Sequence, residues 1–398
     1  MHPADDIRGS ASKKLSGKKI VLCVTGSIAA VESVRLAREL LRHDAEVIPV
    51  MTEAATRILH PDALWFATGK KPIVELSGDT EHVKYCGVTK KSVNLVLVCP
   101  CTANTISKIA LGIDDTAVTT FVTTAIGSKI PIVLVPAMHG SMYDHGIVQK
   151  NIEKCKKEGI FFIDPLLSEG KAKSASVEEI VETVIRCAGK RNLVKKKILV
   201  VGGATAQPVD DMRILTNRSS GKTAVALAKC AFERGAVIDL WFGFGQECIP
   251  SYLSAKRFET VSDLLEFVTT KELRKYNGII VCAAIADYIP EKHKGKIPSG
   301  KEKLLLELSP APKVISKIRK CVPKVVLVGF KVESKKEKAI ERAVELLNKN
   351  KLDFVIANTL SAFGSTESEI WIVNKKEKVV HKQGTKDVLA DAILDLMC

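Results

Sequence analysis

Twice along this chain a short, almost wholly apolar run ends in a glycine-bearing turn and gives way to a stretch with helical periodicity. "KKIVLCV" (18–24), "TGSIAA" (25–30) and "VESVRLARELLRH" (31–43) make the first unit, and Val31, Val34, Leu36, Ala37, Leu40 and Leu41 line one helical face. "ILVVGG" (198–203), a long loop and "GKTAVALAKCAFERG" (221–235) make the second. Apolar runs recur at 45–51, 93–99 and 130–135, then at 236–242, 278–284, 325–330, 353–357 and 369–373. Strands apolar on both faces need cover on both faces, so this alternation predicts α/β domains with parallel sheets between helices.

The first unit closes with the helix "SVEEIVETVIRCAG", which Ser176 and Glu179 open at capping-box spacing and Gly189 stops. A basic linker, "KRNLVKKK" (190–197), follows. The predicted organisation is a mobile tail over 1–17, one domain over 18–190 and a second over 191–398. The tail lacks the apolar segment of a signal peptide, and no apolar run approaches the length of a membrane span. Eleven cysteines with no CxxC pair, several inside apolar strands, predict reduced thiols and a cytoplasmic protein. The net charge of +15 points to anionic partners. Aromatics at 5% and the lack of a basic-aromatic stripe argue against nucleic acid, which leaves phosphorylated small molecules.

Ligands of parallel sheets sit beyond the carboxyl ends of the strands, so the residues there are the candidates. After the first strand, Gly26 and Ser27 open a helix N-terminus able to hold a phosphate, or Gly26 serves only a tight turn. "MTEAA" places Thr52 at a second strand end, and "CPCTANTISK" places Pro100, Thr102, Ala103 and Asn104 at a third. Small residues with hydrogen-bonding tips suit a planar ring close to the backbone. "VPAMHGSMYDHG" (135–146) ends a fourth strand; His139 and His145 lack a third ligand nearby, which argues against zinc. His82 is a lone histidine. In the second domain "NRSSGKT" (217–223) is no P-loop, because Thr216 stands where that pattern needs glycine. "AAIADYIP" sets Asp287 just past a strand, where it meets a metal or a base edge, and the lysine-rich loop "HKGKIPSGKEK" (293–303) follows.

Taken in order, "KKIVLCVTGSIAA", "PCTANTI", "PAMHGSMY", "TNRSSGK", "AAIADY" and "VGF" resemble the bifunctional flavoproteins of coenzyme A biosynthesis. In that family a phosphopantothenoylcysteine decarboxylase is fused to a phosphopantothenate–cysteine ligase. The resemblance runs from about residue 18 to the end. It implies a flavodoxin-like, Rossmann-like first domain that binds FMN through Gly26, Ser27, Ile28, Thr52, Pro100, Thr102, Ala103 and Asn104. His82 matches the family's active-site histidine, and His139 stands where most bacterial members have an asparagine that grips the substrate carboxylate. A neutral imidazole also offers one donor and one acceptor, so the grip survives, and His139 is expected to be neutral. The family's flavin oxidises the substrate thiol, so that CO2 leaves a carbon beside a thioaldehyde. The stretch 164–176 lacks the flap cysteine of bacterial members, as in the archaeal branch; Cys86 and His139 are the candidate proton donors.

The same resemblance implies a Rossmann-like ligase in the second domain. It would activate 4′-phosphopantothenate with a nucleotide, CTP in fused members, and couple the acyl-nucleotidyl intermediate to cysteine. Asn217 matches the residue holding that intermediate, and Lys296 the first lysine of a KxKK motif whose later lysines are Pro298 and Ser299 here. Ala283, Asp287, Lys296, Pro312, Phe330 and Lys349 match nucleotide contacts, with Mg2+ held mainly by the phosphates. The 4′-phosphopantothenoylcysteine formed is then the decarboxylase substrate, and a homo-oligomer is expected. A same-fold flavoprotein that has lost decarboxylation, a ligase only or a regulator, is the alternative.

Overall fold

Valine, isoleucine and leucine dominate the runs that become central strands, and burial on both faces accounts for their lack of alternation. The computed structural model describes residues 2–168, 170–300, 303–359 and 367–398. Glu169 of the stretch 164–176, and Lys301 and Glu302 of the lysine-rich loop, therefore lie outside the described residues. The chain divides into two units, residues 1–191 and 192–398.

Unit 1 is built on a five-stranded parallel sheet of β1 (Lys19–Val24), β2 (Glu46–Met51), β3 (Leu95–Cys101), β4 (Ile132–Pro136) and β6 (Phe161–Phe162), in the order β2-β1-β3-β4-β6. Helices Ser33–Arg42, Pro61–Thr68 and Val177–Ala188 cover one face, and Ala103–Leu111, Ala117–Gly127 and Gly146–Lys157 the other. Three short strands make a separate small sheet: β5 (Met138–His139), β7 (Leu166–Ser168) and β8 (Lys171–Lys173), in the order β5-β8-β7. Ser176 caps its helix by accepting from the Glu179 amide at 3.2 Å.

The expectation of a mobile tail does not survive. Leu15 is fully buried and Ala4 nearly so, both within the core on the first face. The Leu15 amide donates to the His43 carbonyl at 2.9 Å, and the Arg8 guanidinium to the Ala45 carbonyl at 2.7 Å. Ala4, Ile7 and Leu15, with these hydrogen bonds, dock a segment whose composition reads as solvated. Leu15→Ala is therefore expected to cost about 2–5 kcal/mol of stability. A thermal or urea melt unchanged from wild type would show that the docking contributes nothing.

Unit 2 carries an eight-stranded sheet in the order β13-β12-β9-β14-β17-β18-β19-β20. Its strands are β9 (Lys197–Gly202), β12 (Val237–Phe242), β13 (Ala255–Arg257), β14 (Gly278–Val281), β17 (Val326–Glu333), β18 (Phe354–Thr359), β19 (Glu367–Asn374) and β20 (Val379–Thr385). Pairing is parallel from β13 to β18 and antiparallel from β18 to β20. The sequence pattern predicted β19 but neither its direction nor β20, an edge strand whose residues are nearly all exposed. Two hairpins stand beside the sheet: β10 (Ala206–Pro208) with β11 (Ile214–Thr216), and β15 (Tyr288–Pro290) with β16 (Leu308–Pro310). Among the described residues no helix is long and apolar enough to cross a membrane.

Candidate functional site

In unit 1 the carboxyl ends of β1, β2 and β3 are stitched together by the residues that the motifs singled out. The Thr25 hydroxyl donates to the Pro100 carbonyl at 2.7 Å and accepts from the Thr102 amide at 3.2 Å. The Thr52 amide donates to the Val24 carbonyl at 3.0 Å. Thr52 and Thr102 each cap the helix that follows, through the amides of Ala55 and Thr105. Gly26 has a different cause from the turn geometry expected of it. Its φ is not positive, and an added Cβ would lie 2.7 Å from the Ala54 Cβ. The glycine is there because the turns after β1 and β2 touch.

The resulting surface fits a flavin. None of Gly26, Ser27, Ile28, Thr52, Pro100, Thr102, Ala103 and Asn104 is charged, and Ile28 offers an apolar face 77% exposed. Pro100, Thr52 and Ala103 are buried, whereas Asn104 is exposed. His82 sits apart on the helix Glu81–Cys86, which packs on Ala117–Gly127 through stacked Tyr85 and Phe121. Its Nδ1 is buried without a hydrogen-bond partner, an atom left for something this unit does not supply.

Of the two candidate proton donors, Cys86 is fully buried in the core, where burial pushes its thiol up to about 12. His139 is placed better, exposed at the end of the β4 segment, where its Nδ1 lies 2.9 Å from the Ser141 hydroxyl. It pairs with Lys171 across β5 and β8. Directly paired residues share a face, so a cation stands beside the histidine. The stretch that lacks a cysteine is thus the hairpin β7–β8, bound to the strand of His139. The Gly140 amide donates to the Gly170 carbonyl at 2.9 Å, and a Cβ on Gly140 would meet that oxygen at 2.6 Å.

In unit 2 the strand ends again gather the predicted residues. The Asn217 side-chain Nδ2 donates to the Ala284 carbonyl at 3.3 Å, just past β14 and next to Ala283. The Ala311 amide donates to the Asp287 carbonyl at 2.8 Å, which brings Pro312 alongside. Phe330 lies on β17, one residue beyond the Val281–Gly329 pair that ends β14. Lys296 is exposed and makes no ion pair among the described residues. Its neighbours are held by two adjacent carboxylates. Asp211 accepts from the Gly295 amide at 3.0 Å, and Asp210 from the Ile297 amide at 3.0 Å. Burial works against ionisation of Asp210, yet the amides of Ile297, Met212 and Arg213 and the Arg213 guanidinium hold it well below the usual carboxylate range.

Lys349 is not brought to this cluster. It lies in the last turn of the helix Lys336–Asn350, which returns from the carboxyl end of β17 to the amino end of β18. Fifteen residues of helix span about 22 Å, so Lys349 stands at the opposite edge of the sheet from Asp287. It lines a cavity of about 630 Å³ there with Arg319, Lys351 and Lys375. Sequence reasoning missed Lys313, which forms an ion pair with Asp287, and it missed Asp210 and Asp211. Adjacency to Pro312 was the one available signal for Lys313.

Two family models divide the chain as the fold does: "Flavoprotein" matches residues 8–189, and "DNA/pantothenate metabolism flavoprotein C-terminal domain" matches residues 193–398. The chain is 47% identical over 400 residues to the coenzyme A biosynthesis bifunctional protein CoaBC of Thermococcus kodakarensis, covering 99% of this chain and 98% of that protein. The CoaBC of Methanocaldococcus jannaschii is 38% identical over 403 residues, covering 99% and 97%. Among solved structures, the DNA/pantothenate metabolism flavoprotein of Streptococcus pneumoniae matches at 25% identity and a TM-score of 0.46, over 50% of this chain and 97% of that one.

Proposed function

The chain belongs to the family of bifunctional coenzyme A biosynthesis proteins, and we propose that it runs both reactions with FMN, CTP and Mg2+. It is a flavoprotein with a ligase and a decarboxylase activity. Ligation comes first. The carboxylate of 4′-phosphopantothenate attacks the α-phosphorus of CTP, and pyrophosphate leaves. The cysteine amine then displaces CMP from the acyl-cytidylate to give 4′-phosphopantothenoylcysteine. Negative charge grows on phosphate oxygens in the first step, which is where Lys296 acts and where a phosphate-held Mg2+ would add positive charge. Asn217 holds the acyl intermediate, and Ala283, Asp287, Pro312 and Phe330 receive the nucleotide.

Unit 1 removes CO2 from that product. The chemistry FMN supplies is the withdrawal of two electrons from the substrate thiol and their return after CO2 has left. Gly26, Ser27, Ile28, Thr52, Pro100, Thr102, Ala103 and Asn104 hold the cofactor with backbone amides, hydroxyls and small apolar surface. His139 grips the substrate carboxylate as a neutral imidazole, because a fixed positive charge there would oppose its loss. His82 orients the cysteine moiety or takes its proton. We place the enzyme in the cytoplasm as a homo-oligomer. Free cysteines throughout the described residues support the first, and the second is what the family resemblance implies.

The observation that carries this reading is a single chain with two strand-end clusters of opposed character. One is uncharged and suits a flavin; the other is flanked by Lys296, which has no ion pair among the described residues. Purified protein given 4′-phosphopantothenate, cysteine, Mg2+ and either CTP or ATP tests it, with products followed by mass. Formation of 4′-phosphopantetheine with CO2 release, faster with CTP, is expected. Accumulation of 4′-phosphopantothenoylcysteine alone would refute the decarboxylase half of the residue assignment, and preference for ATP would refute CTP.

A further inference from the structure

Lys296 lies in an exposed stretch of loop, and a lysine on an untethered loop makes a poor electrostatic catalyst. What fixes this one is the hairpin β10–β11. Asp211 Oδ2 takes the amide before Lys296 and Asp210 Oδ2 the amide after it, at 3.0 Å each. Asp211 Oδ1 also meets the Lys292 ammonium at 2.9 Å, and the His293 amide donates to the Val209 carbonyl at 2.9 Å. Asp210 is itself locked. Its Oδ1 accepts from the Met212 and Arg213 amides at 2.8 and 2.7 Å, its Oδ2 also meets the Arg213 guanidinium, and its side chain is fully buried. The same hairpin leads directly into Asn217.

We infer that Asp210 and Asp211 form a carboxylate clamp that positions Lys296 for ligation, holding it in register with Asn217. The inference rests on the reading of Lys296 as the phosphate-facing cation. Neither carboxylate touches substrate; both are positioning residues. The two clamp members differ in how replaceable they are. Asp210 Oδ2 serves two donors and Oδ1 two more, so an asparagine presents its NH2 to a pair of N–H groups in either orientation. Asp211 is exposed, and its loss leaves the buried network intact.

The test uses the full chain with Asp210→Asn and Asp211→Ala. A misplacement of about 1 Å at a catalytic group costs on the order of 10²-fold, and Asp210→Asn is expected to lower the ligation kcat by about that much. Asp211→Ala is expected to lower kcat in the same direction and by less. KM for 4′-phosphopantothenate and CTP stays within about twofold, as for a group acting on the transition state alone. Decarboxylation of supplied 4′-phosphopantothenoylcysteine is unchanged. Combined with Lys296→Arg, the losses are less than multiplicative, because both changes act through one ammonium. Wild-type kcat in Asp211→Ala, or fully multiplicative losses, would overturn the clamp even if Asp210→Asn failed to fold. Lys296→Gln keeps the two ideas separate: if it ligates normally the reading of Lys296 falls, and if it is inactive while Asp211→Ala is normal only the clamp falls.

Discussion

Lys296→Gln is expected to reduce ligation by on the order of 10³-fold, about 4 kcal/mol of transition-state stabilisation, with decarboxylation of supplied 4′-phosphopantothenoylcysteine at the wild-type rate. The glutamine retains most of the length and the hydrogen-bonding ability of lysine, so the change isolates charge. Ligation needs that charge because the attacked phosphate gains negative character as its bond to the carboxylate forms. Lys296 is exposed and without an ion pair among the described residues, which leaves its ammonium available to a phosphate. Lys292 and Lys313, by contrast, are committed: the first pairs with Asp211 and the second with Asp287. Mass detection of the acyl-cytidylate locates the defect. Its absence in the variant places Lys296 in the first half-reaction, whereas its accumulation would move the role to capture by cysteine. Equal loss of both activities would contradict the division of labour between the two units.

Burial explains which parts of this architecture could be read in advance. Central strands such as β1, β3, β9 and β14 are buried along nearly their whole length, so their apolar runs mark them directly. β20 is exposed along most of its length and reads as a loop, since nothing but backbone pairing selects its residues. Motif residues at strand ends were found because the edge of a parallel sheet is a place that topology defines. Lys349 was misplaced for the complementary reason: a lysine near the end of a helix belongs to whichever edge the helix reaches, and residue spacing alone does not give that edge. The carboxylates Asp210 and Asp211 gave no local signal. The partners that tie them to the Lys296 loop are backbone amides of Ile297 and Gly295, more than eighty residues on, and a backbone amide has no residue identity to recognise. The docking of Leu15 against the first core is the same case, one side chain closing a gap that the pattern of its own segment does not announce.

His82→Asn is expected to remove decarboxylation by between about 10² and 10⁴-fold and to leave ligation and flavin content unchanged. Asparagine places a polar atom near the position of Nδ1 but cannot carry a proton between substrate and solvent, so it separates proton transfer from simple contact. The structural ground for this choice is the solitary state of Nδ1. A buried ring nitrogen without a partner costs about 1–3 kcal/mol, and such a cost persists where a ligand or a second subunit supplies the missing partner. A histidine that merely filled space on the helix Glu81–Cys86 would have no reason to keep a buried nitrogen aimed at nothing. Absorbance of bound flavin in the variant decides between the two roles that remain. Normal flavin with no CO2 release assigns His82 to the substrate; loss of flavin with the fold intact assigns it to the cofactor cradle. Full decarboxylase activity in His82→Asn would take the residue out of the chemistry altogether and shift attention to His139, held beside Lys171 on the β5–β8 pair.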